Sequence, residues 1–325
     1  MEQLKKLQSF AGLILIVIMA ILLSPEDRRD GSLIFLSQAN ITDILRQVSE
    51  IGILALAMTF VILTAGIDLC VGSMLALAAS TVALFMTDWS EYLPVSSPSF
   101  HICVAIVGTV LFCGFWGAVN GFVIAKFRMQ PFIVTLAAMI GLRGLARWLT
   151  NNRNIDIGFG EDHSAIFADF VSQKFIVIGC FVILAIIFHI LLNRTVFGRY
   201  ACAIGGNEQA SRFAGLPIAR MQVAVYTLSG LMAGLAGVIH CAQNHQGSPN
   251  DGVAYELEAI AAVVIGGTSL MGGKGSIIGT VVGTLIMGVL TNLFRLRGVD
   301  TNVEMMAKAV IIIAAVRLQQ GRKSL

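Results

Sequence analysis

Long apolar runs alternate with short polar joints along the whole chain. The runs fall at 9–24, 51–66, 70–86, 101–125, 131–149, 175–192, 221–242, 257–271, 276–294 and 303–318. A bilayer core of about 30 Å is crossed by about 20 helical residues, so the pattern predicts an all-α polytopic membrane protein with about ten transmembrane segments. Two regions break this rhythm. Leu54 to Ser73 reads LALAMTFVILTAGIDLCVGS, and Ala259 to Ser276 reads AIAAVVIGGTSLMGGKGS, each an apolar run that stops at a glycine-rich turn. Irregular backbone at membrane depth is tolerated only where protein or a water-filled cavity surrounds it. Broken or re-entrant helices are therefore expected, lining a pathway or an interhelical seam. Paired breaks in two halves of a chain also point to an internal repeat.

The joints are short, so residues 1–325 are expected to form a single transmembrane domain. Pro25 to Glu50, Thr87 to Phe100, Thr150 to Lys174 and Gln243 to Glu256 are expected outside. In the first, Ile41, Ile44, Leu45 and Val48 share one helical face, which fits either an interfacial helix over Gln38 to Glu50 or a lead-in to the next span. The stretch 193–220, NRTVFGRYACAIGGNEQASRFAGLPIAR, is the most polar and basic in the interior of the chain. Within it Asn207 is placed to cap a short helix that begins at Glu208 and ends before Gly215 and Pro217, the remainder being irregular. A partner surface and an ordinary basic loop are both compatible with that pattern.

Composition narrows the class. The chain is 56% hydrophobic and 13% charged, with a formal net charge of +3, which excludes an ordinary soluble domain and gives no nucleic-acid footprint. Lys5/Lys6, Lys126/Arg128, the 193–220 loop and Arg317/Arg322/Lys323 share one side if ten segments cross, so both termini and that loop are expected in the cytoplasm. Arg28, Arg29, Arg295 and Arg297 fall on the opposite side in this count. Cys70, Cys103, Cys113, Cys180, Cys202 and Cys241 form no C-x-x-C pair and read as reduced, small apolar residues, with no metal site. Lys5 and Lys6 precede the apolar run Phe10 to Leu23 without a small-x-small cleavage site, so an uncleaved first span is expected.

Candidate functional residues cluster at the breaks. Asp68, between Gly66 and Gly72, with Ser73 just beyond, is either a polar element of the pathway that binds a proton or cation, or the cap of a helix beginning near Leu69. The second break carries Gly266, Gly267, Thr268, Ser269, Gly272 and Gly273. It is not a phosphate-binding loop: Thr268 stands at the first glycine position and Gly275 follows Lys274 where a hydroxyl is required. Close packing is expected, with Thr268, Ser269 and Ser276 hydrogen-bonding freed groups. Arg143 and Arg147, beside Trp148, suit interfacial anchoring or contact with a sugar or an acidic partner. His189 and His240 read as structural, and Glu304 and Lys308 as an i,i+4 pair on one helix.

These residues carry a resemblance. The stretches MTFVILTAGIDLCVGS (58–73), QPFIVTLAAMIGLRGLA (130–146), TVFGRYACAIGGNEQASRFAG (195–215) and YELEAIAAVVIGGTSLMGGKGSIIGT (255–280) resemble, in order, the permease subunits of bacterial ATP-binding-cassette importers for monosaccharides of the ribose, galactose, arabinose and autoinducer-2 type. At the first motif Ala65 and Cys70 replace the usual glycine and serine, removing a backbone freedom and a hydroxyl. The resemblance implies an inner-membrane permease dimer, cytoplasmic ATPase subunits, a periplasmic sugar-binding protein and no cofactor in this chain. It also implies that the element carrying Gly205, Gly206, Asn207, Glu208, Ala210 and Gly215 couples to the ATPase. The alternative from another class is an ion- or proton-coupled secondary transporter using Asp68.

Overall fold

The computed structural model describes residues 2–27, 31–90, 97–160 and 163–320. The expectations on Arg28, Arg29, Arg322 and Lys323 lie outside the described residues. Thirteen α-helices follow one another: α1 Glu2–Leu22, α2 Gln38–Leu63, α3 Val71–Met86, α4 Pro98–Phe127, α5 Pro131–Leu149, α6 His163–Val171, α7 Lys174–Arg194, α8 Val196–Gly206, α9 Glu208–Phe213, α10 Ile218–Asn244, α11 Tyr255–Ile265, α12 Ile277–Leu296 and α13 Thr301–Gln320. A two-stranded antiparallel ribbon, β1 Ile155–Asp156 with β2 Gln246–Gly247, is the sheet among the described residues. Every apolar run of the sequence holds a helix, although the run 257–271 is helical only as far as Ile265. Six helices, α2, α4, α5, α7, α10 and α12, are long and apolar enough to cross a membrane alone, with Phe10–Leu22 and Val71–Met86 as shorter apolar helices. The count of about ten is therefore not met by length and composition, since α11 has only 11 residues, a rise of about 16 Å.

The core is built from α2, α3 and α10. Ile53 to Leu63 and most of Met74 to Ala83 are fully buried, whereas α4, α5 and α7 turn Phe115, Ile140 and Ile183 outward. That inside-out distribution suits a molecule whose outer solvent is lipid. Small residues let α4 and α10 approach backbone to backbone: Gly117 faces Tyr226 O and Gly230 faces Cys113 O.

Of the two readings of Gln38 to Glu50, the structure takes the lead-in: the stretch is the first half of the continuous 26-residue α2, capped by Ser37, which accepts from Asn40 N at 3.3 Å. Its polar residues pair with neighbouring helices: Asn40 and Asn292 exchange hydrogen bonds of 3.2 and 2.7 Å, and Asp43 meets Lys174 at 2.8 Å. The stretch 243–256 is not a simple outer loop, because it runs back along α3, with Gly247 against Ala79 O and Gly252 against Gly72 O. The 193–220 stretch is not irregular around one helix: Thr195 caps α8, and Asn207 then caps α9.

Arg295 and Arg297, on the wrong side by charge alone, have specific partners. Arg295 donates to Gln47 Oε1 at 3.1 Å and Arg297 to Leu23 O at 2.6 Å, so both serve to join α12 to the ends of α1 and α2.

Candidate translocation and coupling site

The first break begins where α2 stops. Ala65 is left-handed at φ 59°, its N–H donates to Ile62 O at 2.9 Å, and Gly66 N–H reaches back to Val61 O at 3.0 Å. That crossed pair of bonds is a Schellman stop, which satisfies the carbonyls orphaned at a helix end. The chain then runs without regular structure until α3 starts at Val71, two residues later than expected, with Cys70 rather than Asp68 at the N-cap. Asp68 still serves the helix start. Its fully buried carboxylate accepts from Cys70 N at 3.0 Å, Cys70 Sγ at 2.9 Å and Ser229 Oγ of α10 at 2.7 Å. Cys70 thus donates to Asp68 through a thiol, and accepts in turn from Asn120 Nδ2 at 3.2 Å. Ile67 O takes Thr135 Oγ1 at 3.2 Å and Tyr226 OH at 3.4 Å, clamping the break between α5 and α10. Gly72 and Ser73 are buried in the first turn of α3, and a side chain on Gly72 would strike Gly252 O and Glu256 Oε2.

The second break repeats the stop and then diverges. Gly267, at φ 94°, donates to Val264 O at 2.8 Å and Thr268 N–H returns to Val263 O at 3.2 Å, the same Schellman pair that ends α2. The loop closes on itself through Ser269 N–H to Lys274 O at 2.8 Å and Gly272 N–H to Ser269 O at 2.9 Å. Gly266 packs on the backbone of Gly279 in α12. Ser269 Oγ and Ser276 Oγ accept from Met271 N at 3.3 Å and Gly279 N at 3.4 Å, as expected of them, but the buried Thr268 hydroxyl has no hydrogen-bond partner among the described residues.

The basic stretch meets both breaks. Asn207 Oδ1 accepts from Ala210 N at 2.9 Å, and Glu208 pairs with Arg212 at 2.7 Å, so α9 is a six-residue helix fixed at its start and along one face. Gly215, at φ 78°, closes the turn into α10. Glu208 and Arg212 also line a cavity of about 870 Å³ with Thr64, Lys126, Gln130 and Arg220. Thr64 and Ala65 at the end of α2, Lys126 at the end of α4 and Ile218 at the start of α10 border this cavity.

Sequence reasoning missed the partners of the charged residues. His240 reads as a lone structural histidine in sequence, but it sits in a buried cluster: Nδ1 is 2.7 Å from Glu50 Oε1, Nε2 is 3.2 Å from Asp251 Oδ2, and Asn244 Nδ2 is 2.8 Å away. Arg143 donates to Pro249 O at 2.8 Å and to Asp251 O, and Arg147 forks onto Asn250 Oδ1 at 2.9 and 3.1 Å, holding the 249–251 segment against α5. Lys308 pairs with Glu304 as expected, at 2.8 Å, and with Glu258 of α11 at 2.7 Å, so the pair within α13 is really an interhelical triad. A charged residue inside an apolar run is the signal available in sequence; which helix supplies its partner is not.

Helices enclosing two broken segments, with a capped polar element laid against the breaks, define a membrane transport permease. Residues 40–316 match the family of branched-chain amino acid transport system / permease components, and the chain belongs to it. Ribose import permease protein RbsC of Bacillus subtilis is 40% identical over 325 residues, covering 99% of this chain and 94% of that protein. RbsC of Haemophilus influenzae is 39% identical over 315 residues, 95% of this chain and 91% of that one. Fructose import permease protein FrcC of Rhizobium meliloti is 37% identical over 297 residues, 88% of this chain and 79% of that one. No solved structure matches. The chain is a multi-pass permease component and not an enzyme.

Proposed function

We propose that this chain is the membrane subunit of an ATP-binding-cassette importer that passes a monosaccharide or similar small polyol across the bacterial inner membrane. The observation that carries this reading is the end-to-end likeness to proteins named as ribose import permeases, 99% of the chain in one case. ATP is hydrolysed by a separate cytoplasmic subunit, a periplasmic sugar-binding protein delivers the substrate, and a second permease copy completes the pathway. Ten crossings follow if α1, α2, α3, α4, α5, α7, α10, α11 with its following loop, α12 and α13 each traverse the bilayer, which puts both termini and residues 193–220 in the cytoplasm.

In this reading α8 and α9 receive the ATPase, and the two breaks border the path. The cap on α9 supports it, because a fixed short helix transmits a push that a floppy loop absorbs. A neutral sugar asks for weak polar contacts and no buried charge, which fits a first break whose carboxylate is already engaged by three donors. Uptake into proteoliposomes containing the permease, its ATPase and its binding protein tests the proposal. Uptake should require ATP and the binding protein; uptake driven by a proton gradient alone would instead establish a secondary transporter.

A further inference from the structure

The glycine pair at the end of α8 does not only face outward toward a partner. Gly205 is driven into a three-way backbone junction with the end of α2 and the second break. A methyl added to it would land on Leu63 O and stand 2.7 Å from Gly273 N. Gly273 N–H donates to Leu63 O at 2.9 Å, bonding the second break directly to the last turn of α2. A side chain on Gly272 would meet Gly205 O at 2.8 Å and Ala65 Cβ at 3.0 Å. Gly272, Gly273 and Ala65 are all left-handed, at φ 81°, 74° and 59°, so the three strands of the junction turn tightly about one another. A methyl on Gly206, one residue on, would meet nothing within 4 Å.

We infer that Gly205 is a positioning residue for transport: through its contact with Leu63 and Gly273, movement of α8 and α9 is delivered simultaneously to both broken segments. The inference rests on the coupling role proposed above for α8 and α9, and adds where their movement enters the membrane domain. The physical reason is stiffness. Backbone packed on backbone across glycine has no side-chain rotamer to absorb a displacement, and close-packed interiors transmit strain. From Leu63 the path is short: Ala65 and Gly66 stop α2, and Ile67 and Asp68 are the clamped part of the first break. From Gly273 it runs through Ser276, the N-cap of α12.

Two measurements on the complete importer test this. In the first, Gly205→Ala is compared with Gly179→Ala, a glycine of α7 with open space around it, in proteoliposomes with the ATPase and binding protein. In Gly205→Ala, sugar uptake per membrane-inserted importer should fall at least tenfold and ATP consumed per sugar should rise at least tenfold. Gly179→Ala should leave that ratio within twofold of wild type. Wild-type uptake by Gly205→Ala overturns the inference. The second measurement needs no variant and stands even if Gly205→Ala fails to reach the membrane. Hydrogen exchange is followed in the wild-type complex, resting and with the ATPase trapped by vanadate. Peptides covering 196–213, 64–70 and 266–276 should change protection together. A response at 196–213 with none at 64–70 or 266–276 overturns this inference while leaving the coupling role intact. No response at 196–213 removes the coupling role, and the inference with it.

Discussion

The two breaks begin alike and are held differently. Both helices that lead into them end in the same Schellman stop, with Ala65 and Gly267 in the left-handed position. After the stop, the first is fixed by side chains: Asp68 to Ser229, Ile67 O to Thr135 and Tyr226, and Cys70 to Asn120. The second is fixed by backbone and by glycines, with Leu270 and Met271 left facing outward. A clamp of converging side chains sets one geometry and tolerates little change in chemistry. A loop packed by missing side chains tolerates changes in chemistry and little change in volume. The first is thus suited to define the path and the second to move against α8.

That contrast is broken most severely by bulk at the second break. Gly272→Leu combines a left-handed φ of 81° with contacts to Gly205 O and Ala65, so it should cost about 3 kcal/mol and reduce uptake below about a tenth of wild type. Uptake normalised to the membrane level of the protein measures it; wild-type uptake would mean the glycine packing is incidental. Next in size is removal of the acceptor at the first break. Asp68→Leu strands the Ser229 hydroxyl and the Cys70 N–H in the buried interior, a loss of roughly 3 kcal/mol, whereas Asp68→Asn keeps an acceptor oxygen and should lose roughly 1 kcal/mol. Thermal unfolding in detergent and uptake should both rank wild type above Asn and Asn well above Leu. Equal failure of Asn and Leu in uptake, with uptake following a proton gradient, would give Asp68 an ionic role.

The difference between the breaks also marks how far the sequence could be read. Glycine-rich turns at the ends of two apolar runs, with an aspartate in the first, announced both interruptions, and each apolar run holds a helix. The N-cap at Asn207 was legible because it depends on neighbours two and three positions away. What depended on residues distant in the chain was not. Nothing near Asp68 names Ser229 as its partner, nothing near His240 names Glu50, and nothing near Gly205 names Leu63 or Gly273. Local patterning also overstated the irregularity of 193–220: α8 has small and polar residues that break apolar periodicity, yet Thr195 caps it and Gly205 seats its end on α2. The span count failed for a related reason. A segment shortened by a break, such as the 11-residue α11, falls below the length of a straight span, so six helices meet that length where ten apolar runs were read.

A smaller effect separates the thiol of the first break from its volume. Cys70→Ser retains a donor to Asp68 and an acceptor for Asn120, so stability should stay within about 0.5 kcal/mol of wild type. Cys70→Val keeps apolar bulk but strands the Asn120 amide and should cost about 1–2 kcal/mol. Unfolding midpoints of the two variants decide whether hydrogen bonding or packing is the contribution of this side chain; a Val variant as stable as Ser would assign it to packing.

The smallest expected change tests the shared helix stop itself. Ala65 occupies the position taken by Gly267 in the second break, and a Cβ in that left-handed conformation costs about 1 kcal/mol relative to glycine. Its methyl also lies 3.0 Å from where a side chain on Gly272 would begin, so its removal leaves the facing loop unstrained and opens no large cavity. Ala65→Gly should therefore stabilise the protein by up to about 1 kcal/mol, less the entropy glycine adds to the unfolded chain. Uptake at saturating substrate should remain within twofold of wild type, because Asp68, Thr135, Tyr226 and Ser229 still hold the segment beyond the stop. Paired unfolding and uptake measurements read both quantities. A stabilised variant with a large loss of uptake would show that the strain at Ala65 itself belongs to the transport cycle.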